Sequence, residues 1–482
     1  MAVRLNSPLS TTPNADEQAM LAQLQENILR SHGRDRTAIV FLRVKAGQAA
    51  KARKFLKTFA ASKLKSAVDQ LTAVEAIRRG GAARRSANVQ RASILIVLSA
   101  KGYAALGINL ASSPGDAAFT AGMAARATLN DPDRSLWQTG YRKDAHIMIL
   151  IGGSADAADS ETSALVETEL AALLLKLPAA GLALIQKEKG RGFNNAAGDG
   201  MEHFGYVDGR SQPRLTDDDI AAEKAKEPEP FAWNPGFPLK QVLVKDPAVS
   251  DANAFGSYFV FRKLEQNVKA FVAAEKALQA QLETMATNVG KTFPADLAGA
   301  TIVGRFRDGT PTTLQSSAGL NAPVRNNFGF AADESGLKCP FHAHIRKSNP
   351  RGDSVPLGAT LEGERSHIMA RRGITYGKRK IVGGAFKNAP AKNVGLLFMA
   401  YQSDIGNQFE FTQSSWVNNV GFSRGNTGID PVIGQGNGGP QTHRAGWNAS
   451  AAPSVQSDFS GFVTLKGGEY FFAPSLLFFA SL

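Results

Sequence analysis

Three of the seven histidines, His342, His344 and His367, fall in one stretch that opens as CPFHAHIRKSNPRGD (339–353) and closes as SHIMARRGITYG (366–377). A neutral imidazole ligates transition metals through one nitrogen while a carboxylate holds the other. His342 and His344 are two apart, so an extended backbone sets them on one face. Glu362, Glu364 and His367 would then complete a mononuclear site of the facial-triad kind. The cations of the same stretch argue for a different occupant. Arg346, Lys347, Arg351, Arg365 and Arg371 would repel a bare divalent ion and suit an anion carrying carboxylates or phosphates. Both chemistries stay open at this point, against the plainer reading of an ordinary satisfied histidine.

Two further groups carry chemistry. In FGYVDGRSQP (204–213), Asp208 sits in a turn shaped by Gly205, Gly209 and Pro213. Alone this is a common Asp-Gly turn; across a pocket from an arginine such as Arg371 it becomes a proton shuttle beside a charge stabiliser. GLLFMAYQ (395–402), followed by NQFEF (407–411), supplies Leu396, Phe398, Phe409 and Phe411. Leu396 and Phe398 share one strand face, where they pack a core or line an apolar ligand cavity.

The elements that must position these groups show a repeated order. Strands are expected at 37–44, 93–99, 146–153 and 182–190, with helices at 24–36, 49–64 and 160–178. Strand–helix–strand twice over is the split βαβ, or ferredoxin-like, pattern: an antiparallel sheet with helices. The order recurs with strands at 256–264, 367–374, 395–402 and 461–474 and helices at 267–290 and 407–419. The expected fold class is therefore α+β, with two ferredoxin-like domains. The first spans 1–222 and ends in the Asp208 segment. A Pro- and Glu-rich linker covers 223–240, and the second domain covers 241–482 with a large insertion at 291–365. An insertion that long, without strong periodicity, is more often functional than idle, and it contains His342 and His344.

Composition bounds the function. At 482 residues, with 43% hydrophobic and 20% charged residues, the chain is long enough for two self-sufficient cores. One cysteine, Cys339, excludes an intramolecular disulfide and any cysteine-built metal cluster. No apolar run of membrane-spanning length and no leader-like N-terminus occurs, so a cytoplasmic protein without a membrane span is expected. The net charge of +13 raises a nucleic-acid partner. Much of the excess falls at 45–91, where no aromatic residues alternate with the cations and no recognition motif accompanies them, so a solvated basic helix face is expected and no nucleic acid.

Taken together, these segments resemble the dye-decolourising (DyP-type) haem peroxidases, in their long-chain branch. FGYVDG resembles the family's GxxDG motif, and AHIRKSNPR (343–351) its proximal-histidine segment. RRGITYG (371–377), GLLFMAYQSDIGNQFEF (395–411), TGIDPVIGQ (427–435) and GGEYFFAPS (467–475) are similar to later landmarks, in order, and LQENILRSHGRD (24–35) to an early one. The resemblance spans nearly the whole chain and agrees with two ferredoxin-like domains.

What it implies is specific. One haem b is expected, its iron ligated by His344, with Asp430 accepting the other ring N–H of His344. Asp208 would be the distal acid/base and Arg371 the distal arginine, preferred to Arg372 because the family pattern sets it six residues before Gly377. Leu396, Phe398 and Phe411 would lie against the cofactor, and Arg346 would meet a haem propionate. The implied activity is reduction of hydrogen peroxide through a ferryl–porphyrin radical, with oxidation of small aromatic or dye-like donors. An acidic optimum follows if a carboxylate titrating near pH ~4 does the acid–base work. Bulky donors would be oxidised at surface residues, for which Trp416, Trp233, Tyr206 and Tyr470 are candidates; a monomer or dimer is expected. Two other functions compete: a haem-handling protein without turnover, and a non-haem metal enzyme using His342, His344 and Glu362 or Glu364. Loss of turnover in an Asp208→Ala or Arg371→Ala protein excludes the first, and a porphyrin absorbance band excludes the second.

Overall fold

Strands that are apolar at nearly every position must be covered on both faces. In β1 (Arg36–Val44), Ile39 and Phe41 enter one hydrophobic core while Ala38, Val40 and Leu42 enter another. The computed structural model describes residues 2–76, 91–110, 116–157, 160–436 and 438–482, so the basic segment expected at 45–91 lies partly outside the described residues. β1 pairs antiparallel with β3 (Ile147–Gly153) and with β4 (Leu182–Arg191), and β3 pairs with β2 (Ser93–Leu98). The spatial order β4-β1-β3-β2 is that of a ferredoxin-like sheet, with α2 (Ala49–Lys63) and α3 (Ala164–Lys176) as its crossovers, following α1 (Ala15–Gln23).

The second half repeats the order. β5 (Phe255–Gln266) lies between β7 (Gly395–Gln402) and β8 (Val463–Ala473), and β7 continues to β6 (Ile374–Tyr376). The two sheets are joined twice, by Phe472 of β8 opposite Leu98 of β2 and by Tyr376 of β6 opposite Gly190 of β4. Eight strands thus close on themselves, which removes the exposed edges of both sheets. Gly190 is required at the seam, because a Cβ there would stand 2.4 Å from the Thr37 hydroxyl and 2.5 Å from Ile374. Phe41, Phe261 and Tyr141 meet edge-on and stacked in the core. The segment between α4 (Val268–Thr287) and β6 carries three short α-helices, α5 (Leu297–Val303), α6 (His344–Ser348) and α7 (Leu361–Ser366).

Three expected elements differ. The N-terminal helix is α1 rather than 24–36, because Asn14 and Glu17 form a reciprocal cap there. Beyond it Asn27 takes a left-handed conformation (φ 77°), which breaks helical continuation. The strand expected at 367–374 is split into Ala370–Arg371 and β6. The helix expected at 407–419 is wound wide over Gly406–Glu410 and Thr412–Val417, with the Glu410 N–H donating to Ile405 and the Asn418 N–H to Gln413. Such π-type turns concentrate at functional sites, and this one faces a cavity. Among the described residues no helix is long and apolar enough to cross a membrane.

Candidate active site

A single cavity between the barrel and the α5–α6 region is lined by His344, Asp208, Arg371, Leu396 and Phe398 among others. His344 opens α6, and its Nδ1 lies 2.8 Å from Oδ2 of Asp430. Asp430 is fully buried, and its other carboxylate oxygen accepts the backbone N–H groups of Val432 and Ile433 at 2.8 and 3.0 Å. A carboxylate so fixed makes Nδ1 the protonated nitrogen and leaves the Nε2 lone pair free for the cavity. Burial alone would lower the His344 pKa; the Asp430 charge and hydrogen bond outweigh it, and the pKa is raised. That is a strong donor nitrogen held in one orientation.

Asp208 and Arg371 lie on the same cavity, Arg371 Nη1 standing 3.8 Å from Asp208 Oδ1. The Asp208 side chain is 42% exposed and the Arg371 side chain 32%. The Arg371 backbone is pinned on both sides, by pairing with Ala400 of β7 and by its N–H donating to Gln212 Oε1 at 3.0 Å. Arg372 turns the other way, donating to the carbonyls of Asn27 and Ile28. A second cavity shares Asp208, Gly209, Arg371, Leu396 and Phe398 with the first and is otherwise lined by polar residues such as Arg30, Ser31, Gln212 and Asp219. Asp208 and Arg371 therefore stand where the apolar cavity meets the polar one.

Two expected contacts are corrected. Arg346 does not line the cavity: it is buried against Asp333 and Asp353, at 2.9 and 2.5 Å, and the Cys339 carbonyl. Two residues along a helix rotate a side chain by about 200°, so His344 and Arg346 on α6 point to opposite sides. Phe411 is also absent from the lining; it stacks on His367 at 3.7 Å, and His367 is the ring that meets the cavity.

Of the five arginines that line the cavity, Arg210 and Arg262 are paired with Glu223 and Asp131 and Arg371 stands beside Asp208; the other two are Arg305 and Arg351. Arg305 donates to the carbonyls of Gly309 and Arg325, and Arg351 to the carbonyls of Asn326 and Phe328 and to Ser211 Oγ. All these acceptors are neutral. Burial, with neighbouring cations, pushes Arg305 down to about 9 and Arg351 well below its ordinary value. Sequence reasoning had Arg351 among its cations but gave neither arginine this position. The positive φ of Arg351 (49°), which aims its side chain, is invisible before folding.

The His342 pair fails as a metal site. His342 is buried against His443, ring centroids 4.7 Å apart, and Glu364 is taken up by the Gly352 and Ser354 N–H groups. Among the described residues no cluster of three His, Cys, Asp or Glu could hold an ion. The cavity instead has the shape and lining to take a broad apolar disc: Leu264, Val303, Phe328, Phe409 and Val463 supply its walls, His344 would offer a donor nitrogen, and the two buried arginines would meet carboxylates at its rim.

A family model described as the DyP dimeric alpha+beta barrel domain matches residues 23–177. The chain is 44% identical over 493 aligned positions to the multifunctional dye peroxidase DyP2 of an Amycolatopsis species, covering all of both chains. The solved structure of that DyP2 superposes with a TM-score of 0.89 at 42% identity, again over both whole chains. A DyP-type peroxidase of Anabaena superposes with a TM-score of 0.85 at 34% identity, over 98% of this chain and 96% of that one.

Proposed function

The chain belongs to the dye-decolourising (DyP-type) peroxidases, and from that premise we propose that this cavity binds one haem b, which His344 would hold through its iron, with Asp208 as acid/base and Arg371 as charge stabiliser. Enzymes of this family are haem peroxidases that act on dyes. The observation that carries the residue assignment is that the His344–Asp430 couple and the Asp208–Arg371 couple open onto one cavity.

Bound haem would supply the redox-active iron that peroxide reduction needs. The chain's own groups do the rest. Asp430 holds the His344 ring and raises its donor strength. Asp208 takes a proton from one peroxide oxygen and returns it to the other, and Arg371 holds the negative charge that develops on the departing oxygen. Leu396 and Phe398 supply the apolar part of that side. Arg305 and Arg351, rather than Arg346, meet the propionates. The division into 1–222, a linker at 223–240 and 241–482 is part of this reading, supported by the two ferredoxin-like strand orders. So is a cytoplasmic enzyme, a monomer or dimer, reducing hydrogen peroxide with small aromatic donors.

The test is an absorbance spectrum. Haem added to the purified chain should give a Soret band that shifts with peroxide, and His344→Ala should change the ferric coordination bands. An unchanged coordination spectrum in haem-loaded His344→Ala sinks the ligand assignment. The propionate assignment predicts that Arg351→Met weakens haem binding by about 10–100-fold in a competition with apomyoglobin, by analogy with lost outer-shell support. Arg346→Met should instead destabilise the fold, because it strands Asp333 and Asp353.

A further inference from the structure

The polar cavity, of about 330 Å³, adjoins the larger one through Asp208, Arg371, Leu396 and Phe398. That volume lies at the small end of the roughly 300–1,000 Å³ usual for ligand pockets. Its lining carries four guanidinium groups, Arg30, Arg214, Arg371 and Arg372, against two carboxylates, Asp208 and Asp219. Asp219 is occupied by Arg30, which holds its two oxygens at 2.7 and 2.6 Å. Asp208 stands 3.8 Å from Arg371 and accepts the Gly209 N–H through the same oxygen.

The other cations keep unfilled donor capacity. Arg372 gives its hydrogen bonds only to the carbonyls of Asn27, Ile28 and Arg371, none of them charged. Arg214 pairs with Glu223 through Nη2 at 2.9 Å, while its buried Nε has no hydrogen-bond partner among the described residues. The Arg371 guanidinium has Asp208 beyond hydrogen-bond reach, at 3.8 Å. Ser31 Oγ accepts the Gly33 N–H at 3.4 Å, which leaves its own proton to donate. The wall is rich in donors and short of acceptors, the complement of an oxyanion. Leu29, Leu396 and Phe398 add an apolar side, which an inorganic ion would leave uncovered.

We propose that the polar cavity binds one small organic carboxylate, its charged end on Arg214, Ser31 and Arg371 and its apolar body on Leu396 and Phe398. A planar carboxylate meets a guanidinium with two parallel hydrogen bonds, and benzoate is a simple acid with an apolar body. An acid seated there lies beside Asp208 and Arg371, so it occupies the space in which peroxide would meet that pair. Binding of the acid does not depend on the larger cavity holding haem. Its effect on peroxide does rest on the roles proposed for Asp208 and Arg371.

Calorimetric titration of the haem-loaded protein with benzoate, near neutral pH, tests the proposal. One site is expected with the Soret band unmoved, and benzyl alcohol, which has the ring without the charge, should not bind. Arg214→Leu should weaken benzoate by about 10–100-fold, the loss of one charged hydrogen-bonding partner. Glu223 then keeps Arg210 at 3.1 Å, so its charge is not stranded. Ser31→Asp adds a negative charge without removing a cation and should abolish binding. In steady state, benzoate should raise the KM for peroxide at constant kcat in the wild type and leave Ser31→Asp protein unaffected. Absence of binding heat, equal affinity for acetate, undiminished affinity in both variants, or a Soret shift from ligation of the iron overturns the proposal. Binding that is lost in the variants, with a wild-type peroxide KM indifferent to benzoate, upholds the site and counts instead against peroxide reacting between Asp208 and Arg371.

Discussion

Asp208→Asn protein is expected to load haem with an unaltered ferric spectrum and to lose about 10²–10⁴-fold in kcat/KM for hydrogen peroxide, the usual worth of a positioned proton-transfer group. Asparagine fills the same space beside Arg371 but cannot carry a proton between two oxygens. Arg371→Ala is expected to lose about 10²–10³-fold, as for one removed stabiliser of developing charge. The two losses should combine to much less than their product. Both groups act on one bond cleavage, and their 3.8 Å separation puts them in one electrostatic unit. Stopped-flow mixing with peroxide measures all four proteins. Wild-type kcat/KM in Asp208→Asn would mean that another group carries the proton, and a simple product of losses would mean that the two act on separate steps.

The fold was legible wherever a pattern is local. Leu396 and Phe398 share a strand face because side chains alternate, and the apolar runs of β2 and β3 required cover on both faces. Closure of the barrel was not legible, since it rests on two brief seams, Phe472–Leu98 and Tyr376–Gly190, between distant segments. In the site, the order of Asp208, His344 and Arg371 followed from motif resemblance. Arg346 was misplaced because its neighbourhood to His344 in sequence becomes opposition around α6. Arg305 sits in a hairpin that sequence reasoning did not single out, and it reaches the cavity only through tertiary packing.

Acid should unfold this protein steeply, and two histidines outside the catalytic groups set much of the slope. His203 is fully buried; its Nε2 donates to the Tyr376 carbonyl at 2.7 Å while Nδ1 faces Arg379, and burial is the chief reason its pKa falls to about 3. His443 is equally buried, neither ring nitrogen has a hydrogen-bond partner among the described residues, and burial lowers it to about 4. Both are depressed below the unfolded value of ~6.5, so the unfolded chain binds protons that the fold excludes. Stability is therefore full above pH ~6.5 and falls as pH drops towards the folded values, by about 1.4 kcal/mol per pH unit for each histidine. By pH 4 the pair removes roughly 5–7 kcal/mol, comparable with the whole stability of many domains. Urea unfolding at pH 7, 5.5 and 4 measures the slope, and His443→Leu should flatten it while removing two unsatisfied buried nitrogens. A midpoint constant across that range would mean that these rings are hydrated or protonated in the fold. The acidic optimum that the resemblance implies then acquires a physical limit: the pH that favours turnover is the pH at which these two buried imidazoles favour the unfolded chain, so the working optimum should move upward with longer assays.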